Sequence, residues 1–155
     1  MTRVPRERLR QPYLATVYRV EEAGPRTQYI DRRIGRRINR RIDLRIGRRA
    51  PPLDRLLHRK DVRHWAFITA CNPASRVLPR WRNCARQRRL RDALRRTRVV
   101  VTAVAMPDLP NWTAEPGFLV APVSCGRALR IGRRFGQYAV VAGRRGHAPA
   151  LVWTG

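Results

Sequence analysis

The chain has 155 residues, enough for one ordinary domain with a sizeable core. Thirty-five Lys+Arg stand against ten Asp+Glu, a formal charge of +25, while 43% of residues are hydrophobic, which excludes wholesale disorder. No apolar run approaches the roughly 20 residues of a membrane helix, and no apolar signal region follows Met1, so the expectation is a cytoplasmic protein without a membrane partner.

Residues 1–11 are basic and read as a disordered end. Residues 13–20 (YLATVYRV) are β-branched and aromatic and predict a strand, followed by a turn at Gly24-Pro25. From Ile30 a four-residue unit repeats as IDRR, IGRR, INRR, IDLR and IGRR. A step of four drifts about 40° per repeat on a helix, so the isoleucines would wind off any one face. On a strand they would share a face with arginine. The tract reads either as an arm that orders on phosphate or as an expansion tolerated in a loop. The second reading is adopted: an Arg-rich insertion at 30–41, with residues 42–47 resuming as a strand and a turn.

Pro51-Pro52 opens a short helix with Leu53, Leu56 and Leu57 at helical spacing. Residues 65–70 (WAFITA) predict a buried strand that Asn72-Pro73 ends. A polar helix follows over 81–96, with Leu90, Ala93 and Leu94 as its apolar stripe and Asn83 as a candidate cap. Strands are predicted at 98–106 and 115–123, then a helix capped by Ser124 and ended by Gly136, then strands at 137–142 and 150–153. The expected fold is therefore α+β. It has a ferredoxin-like split β-α-β core over residues 64–142, extended by an N-terminal strand pair and short helix, in one domain spanning 13–154.

Thirty-four of the basic residues are Arg and only Lys60 is lysine. Phosphate-binding tails ordinarily mix the two, so the surplus reflects a GC-rich coding bias as much as a function. Cys71, Cys84 and Cys125, with His58, His64 and His147, match no zinc spacing. No metal or cofactor is expected, and the odd cysteine count implies free thiols.

Several strings resemble a known family. They are Tyr13-Leu14-Ala15-Thr16-Val17-Tyr18-Arg19-Val20, Leu44-Arg45-Ile46-Gly47, Trp65-Ala66-Phe67-Ile68-Thr69-Ala70 and Asn72-Pro73. Asn83, Arg86, Leu90, Leu94, Trp112, Glu115-Pro116, Phe135-Gly136-Gln137 and Ala139 continue the likeness. Over roughly residues 13 to 153 the chain resembles the bacterial domain-of-unknown-function family 3293. The family usually carries Trp where this chain has Cys71, and it lacks the Ile-x-Arg-Arg tract. The resemblance implies no activity.

Thr69, Asn72, Asn83, Arg86, Glu115 and Gln137 are the candidate ligand-binding residues. They fall near strand ends or helix starts, where amide groups, a guanidinium fork and one carboxylate could meet around a small polar ligand or a partner. Each also has a purely structural reading. Asn72 forms a turn, Asn83 caps a helix, Glu115 pairs with Arg86, Gln137 satisfies backbone, and Trp65, Trp112 and Phe118 fill the core. With no nucleophile–base pair, P-loop or dinucleotide turn, the chain reads as a non-catalytic binding domain. The alternative is a nucleic-acid-binding protein that uses Arg36, Arg37, Arg40, Arg41, Arg88 and Arg89.

Overall fold

A computed structural model describes residues 6–22 and 40–155. The first described element is a helix, α1 (Arg6–Leu14), where the sequence reading placed a disordered end over 1–11 and then a strand from residue 13. The reason is tertiary. Leu9, Pro12 and Tyr13 stand at i, i+3 and i+4, a spacing that turns all three toward the body. Leu9 and Pro12 are buried. The Tyr13 ring meets Trp153 edge-on at 5.8 Å. Pro12 sits in the last turn, where its carbonyl accepts from the Thr16 hydroxyl at 2.7 Å and closes the helix.

Strands β1 (Thr16–Glu22) and β2 (Arg40–Leu44) pair antiparallel. The repeat over 30–39, Arg36 and Arg37 included, lies outside the described residues. Arg40 and Arg41, its last two residues, belong to β2. Helix α2 (Pro51–Arg59) follows, started by its two prolines as expected, with Leu53, Leu56 and Leu57 buried. Each of these leucines contributes roughly 1.5–3 kcal/mol on leaving water.

The remaining elements are β3 (His64–Ile68), α3 (Arg80–Leu94), β4 (Val99–Pro107), β5 (Glu115–Ala121), α4 (Cys125–Arg134), β6 (Ala139–Arg144) and β7 (Ala150–Trp153). Their order matches the sequence reading from residue 64 onward. All seven strands join one antiparallel sheet, in the order β2-β1-β4-β5-β3-β6-β7. The fold is α+β.

Period-two alternation divides the core between the two faces of the sheet. Trp65, Phe67, Leu119 and Val141 face α2, together with Tyr18, Val20, Ile42 and Leu44. Ala66, Ile68, Phe118, Val120 and Val140 face α3 and α4 through Leu90, Leu94 and Ala128. Helix α4 has the predicted ends: the Ser124 hydroxyl accepts from the Arg127 N–H at 3.2 Å, and Gly136 follows at φ 71°. Among the described residues no helix is long and apolar enough to cross a membrane.

Candidate functional site

One end of the sheet gathers the start of β1, the end of β3, the end of β4 and the starts of β5 and β6. Helix α1 lies over this end, on the face that α2 covers further along. Between α1 and the sheet is a cavity of about 370 Å³. Tyr13, Tyr18, Phe67 and Tyr138 give it aromatic walls, and Val77, Asn111 and Trp112 stand at its exposed rim. Thr69, Asn72, Glu115 and Gln137 form its polar end. Four of the six candidate residues therefore line one cavity, while Asn83 and Arg86 do not.

Those two hold the segment that carries the others. After β3 the chain turns through Asn72 at φ 43°, Ala74 at 53° and Ser75 at 56°, three non-glycine residues in the left-handed region within four positions. Such backbone costs of order 1 kcal/mol or more per residue and persists only where its surroundings hold it. Here side chains do so from every side. The Asn72 N–H donates to Asn83 Oδ1 at 3.0 Å, and Asn72 Oδ1 accepts from Asn83 Nδ2 and from the Leu78 N–H, both at 2.9 Å. The Ala70 N–H donates to Gln87 Oε1 at 2.7 Å, and Arg86 Nε donates to the Ala70 carbonyl at 2.6 Å. A second Arg86 nitrogen donates to the Phe135 carbonyl. Gln137 Nε2 donates to the Cys71 carbonyl at 2.8 Å, and the Ala74 N–H donates to the Gly136 carbonyl at 2.8 Å. Gly136 is required twice over, by its positive φ and because a Cβ there would stand 2.9 Å from Pro73 Cβ.

Glu115 is the chemical centre of the polar end. Asn72 Nδ2 donates to its Oε1 at 2.6 Å, and Oε2 has no hydrogen-bond partner among the described residues. Burial raises the carboxyl above its ordinary value, and the Asn72 bond partly opposes that shift. Burial first, then the charge of Glu115, pushes the Tyr13 phenol up to about 12. Tyr18 is raised for the same first reason. Cys71, 1% exposed, is pushed up to about 11 by burial.

Three structural expectations need correction. Glu115 does not pair with Arg86, because both guanidinium contacts of Arg86 go to main-chain carbonyls. Asn83 is not the cap of α3. Pro79 occupies that position, and Asn83 reaches from the first turn to Asn72 and to the Leu78 carbonyl at 3.2 Å. Trp112 is not core, being 41% exposed at the cavity rim. Gln137 does bond backbone, and Trp65 and Phe118 are buried.

Sequence reasoning missed Gln87 and the three tyrosines. Gln87 had a signal, since 83, 87, 90 and 94 form one stripe of α3 that is apolar at its far end and polar where it meets the turn. The tyrosines had a weaker one, hidden by reading residue 13 as strand. Arg88 and Arg89 are exposed on α3, and Arg41 is exposed on β2 with its Nε 4.0 Å from Glu21. Among the described residues no three of His, Cys, Asp and Glu gather as a metal site would need.

Residues 68–140 match a family described as Protein of unknown function (DUF3293). That segment belongs to the family. The DUF3293 segment contains all six candidate polar residues, and the contacts above account for several of its strings. Asn72-Pro73 makes the left-handed turn, Glu115-Pro116 supplies the carboxylate and a carbonyl that accepts from Gln87 at 2.8 Å, and Phe135-Gly136-Gln137 grips the turn from behind. No curated protein and no solved structure matches the chain.

Proposed function

We propose that this chain is a non-catalytic domain that binds a small organic ligand in the cavity beneath α1. The observation that carries this reading is Glu115, one oxygen fixed by Asn72 and the other without a hydrogen-bond partner among the described residues, at the polar end of a largely aromatic cavity. Such a site is concave and largely apolar, with a few placed polar groups that orient what enters. The cavity supplies no nucleophile with an adjacent base, which favours binding over chemistry. Thr69 donates to the Pro116 carbonyl at 2.7 Å and so positions the site rather than offering its proton. Asn83 and Arg86 act through the turn. The order β4-β5-β3-β6, all antiparallel, supports a ferredoxin-like reading of residues 64–142. The three free thiols support a reducing, cytoplasmic setting.

Thermal-shift screening of the wild-type chain and Glu115→Gln against a metabolite panel tests the reading. A compound that raises the melting temperature of the wild type and not of the variant is the expected outcome. A panel that never separates the two proteins removes it.

A second reading, nucleic-acid binding, is favoured by one observation. Trp81, at the head of α3, is 67% exposed, with the Arg82 guanidinium 5.1 Å from its ring centroid. Exposed aromatic and arginine groups together can stack on bases and neutralise phosphates. Arg41, Arg88 and Arg89 would contribute charge, and Arg36, Arg37 and Arg40 belong to the same proposal through their sequence alone. Each phosphate contact with a single strand contributes about −0.7 to the slope of log affinity against log salt. If the reading holds, Trp81→Ala weakens oligonucleotide binding at every salt concentration; an unaltered affinity excludes it.

A further inference from the structure

The lining of the cavity is anomalous for this particular chain. The chain has thirty-four arginines, and among the described residues none lines the cavity; neither does the lysine nor any histidine. The exclusion extends to the rim. Ser75, Val77, Asn111, Trp112 and Thr113 are exposed and uncharged, and the exposed Arg76 between the first two is not among the lining residues. An anionic ligand would find no cation among the described lining residues.

Glu115 is anomalous in the complementary sense. Among the described residues the half-buried acids Glu21, Glu22 and Asp54 each have an arginine within 4.0 Å. Glu115, also half-buried, has none. A carboxylate withdrawn from water normally has a cationic partner or a full set of donors. Here one amide serves one oxygen, and five of the chain's eleven aromatic residues (Tyr13, Tyr18, Phe67, Trp112 and Tyr138) line the space beside the other. Aromatic faces carry negative potential and attract a positive charge held against them.

We infer that the ligand is a small organic cation, a compact apolar or aromatic body bearing a protonated nitrogen that seats on the free oxygen of Glu115. The inference rests on the ligand-binding reading above and names the chemical class. It accounts for three features together: the missing arginines, the unpaired carboxylate and the aromatic walls. Asn72 holds the carboxylate in one orientation, so the cation meets a preformed acceptor. Trp112 at the rim is placed to cover the apolar body.

The test compares three probes with the same indole body and different heads: tryptamine, tryptophol and indole-3-acetate. Calorimetric titration of the full chain near neutral pH should rank them cation, then alcohol, then anion, with tryptamine ahead by about tenfold or more. Glu115→Gln keeps an acceptor for Asn72 and should erase most of that lead while leaving tryptophol within about threefold of its wild-type affinity. Trp112→Ala should weaken the probes by a similar factor and keep their order. If tryptophol or indole-3-acetate binds as well as tryptamine, or the lead survives Glu115→Gln, the cationic class is wrong and the cavity remains a ligand site. If none of the three binds to wild type at millimolar concentration, both the class and the site are overturned.

Discussion

Arginine crowds the outer surface of α3 and is missing from the described lining of the cavity, though a single turn of chain separates the two regions. On the outer surface Arg80, Arg82, Arg88 and Arg89 are exposed, and their side chains make no hydrogen bond among the described residues. On the inner side of the same helix Arg86 is half-buried and bonds the Ala70 and Phe135 carbonyls. A coding bias toward arginine would fill positions where the guanidinium keeps its hydration. The positions that resist the bias, or that use arginine with defined partners, are where structure or function sets the residue. In this chain the absence of arginine is more informative than its abundance.

The sharpest way to break that contrast is to remove arginine from both sides of α3. Arg86→Ala should cost about 3 kcal/mol in chemical denaturation, because it leaves the Ala70 and Phe135 carbonyls without their donor. A loss below about 0.5 kcal/mol would place Arg86 with its exposed neighbours and dissolve the distinction.

Asn72→Ala should follow, at about 2 kcal/mol, since it removes the bonds to Leu78, Asn83 and Glu115 and places alanine in a left-handed conformation. It should also move Glu115. The Asn72 amide favours the ionised carboxylate, so its loss raises the Glu115 titration midpoint further, which a side-chain NMR titration reads directly. A midpoint that stays put would mean that the 2.6 Å bond has little hold on the charge.

These predictions concern residues whose types were legible in the sequence and whose partners were not. The order of elements from residue 64 onward could be read from apolar runs, prolines and glycines, because each of those signals is local. The caps of α4 were legible for the same reason. Helix α1 was not. Its sequence is basic, and its stability comes from Leu9, Pro12 and Tyr13 meeting the sheet, which no local signal announces. Asn83 shows the limit from another direction. An asparagine near a helix start reads as a cap, but the turn at Asn72 competes for the same side chain and wins, with two bonds to Asn72 and one to the Leu78 carbonyl. Four of the six candidates could be guessed to converge because strand ends on one side of a sheet are neighbours. The tyrosine walls needed α1 in place first.

A smaller effect separates the cavity carboxylate from the surface ones. Burial raises Glu115 above the ordinary value of 4.5, so the unfolded chain ionises first as pH rises. The wild type therefore loses stability on going from below 4.5 up through the folded-state midpoint, and the loss stays constant above it. Glu115→Gln removes that term and keeps an acceptor for Asn72. The variant should melt at or above the wild-type temperature at neutral pH, with the difference closing as pH falls below 4.5. At Asp43 the sign is opposite, because its hydrogen bonds to Arg19 at 2.7 and 2.8 Å lower the carboxyl. Asp43→Asn should cost a little stability at neutral pH and nothing in strong acid. If Glu115→Gln melts lower than the wild type at neutral pH, Glu115 already has a compensating partner.

The smallest expected effect is at Arg88 and Arg89, and its sign matters more than its size. Replacing both by serine removes two exposed charges from a chain of formal charge +25. No side-chain hydrogen bond or ion pair among the described residues is lost, so the change should fall within about 0.5 kcal/mol. What remains is relief of self-repulsion, which slightly favours the folded state at low salt and fades as salt screens the exposed charges. A drift toward stability that vanishes with added salt identifies these arginines as tolerated passengers of the bias. A clear loss at every salt concentration would mean that the outer face of α3 has a structural duty like the inner one, and the contrast between the two regions would no longer hold.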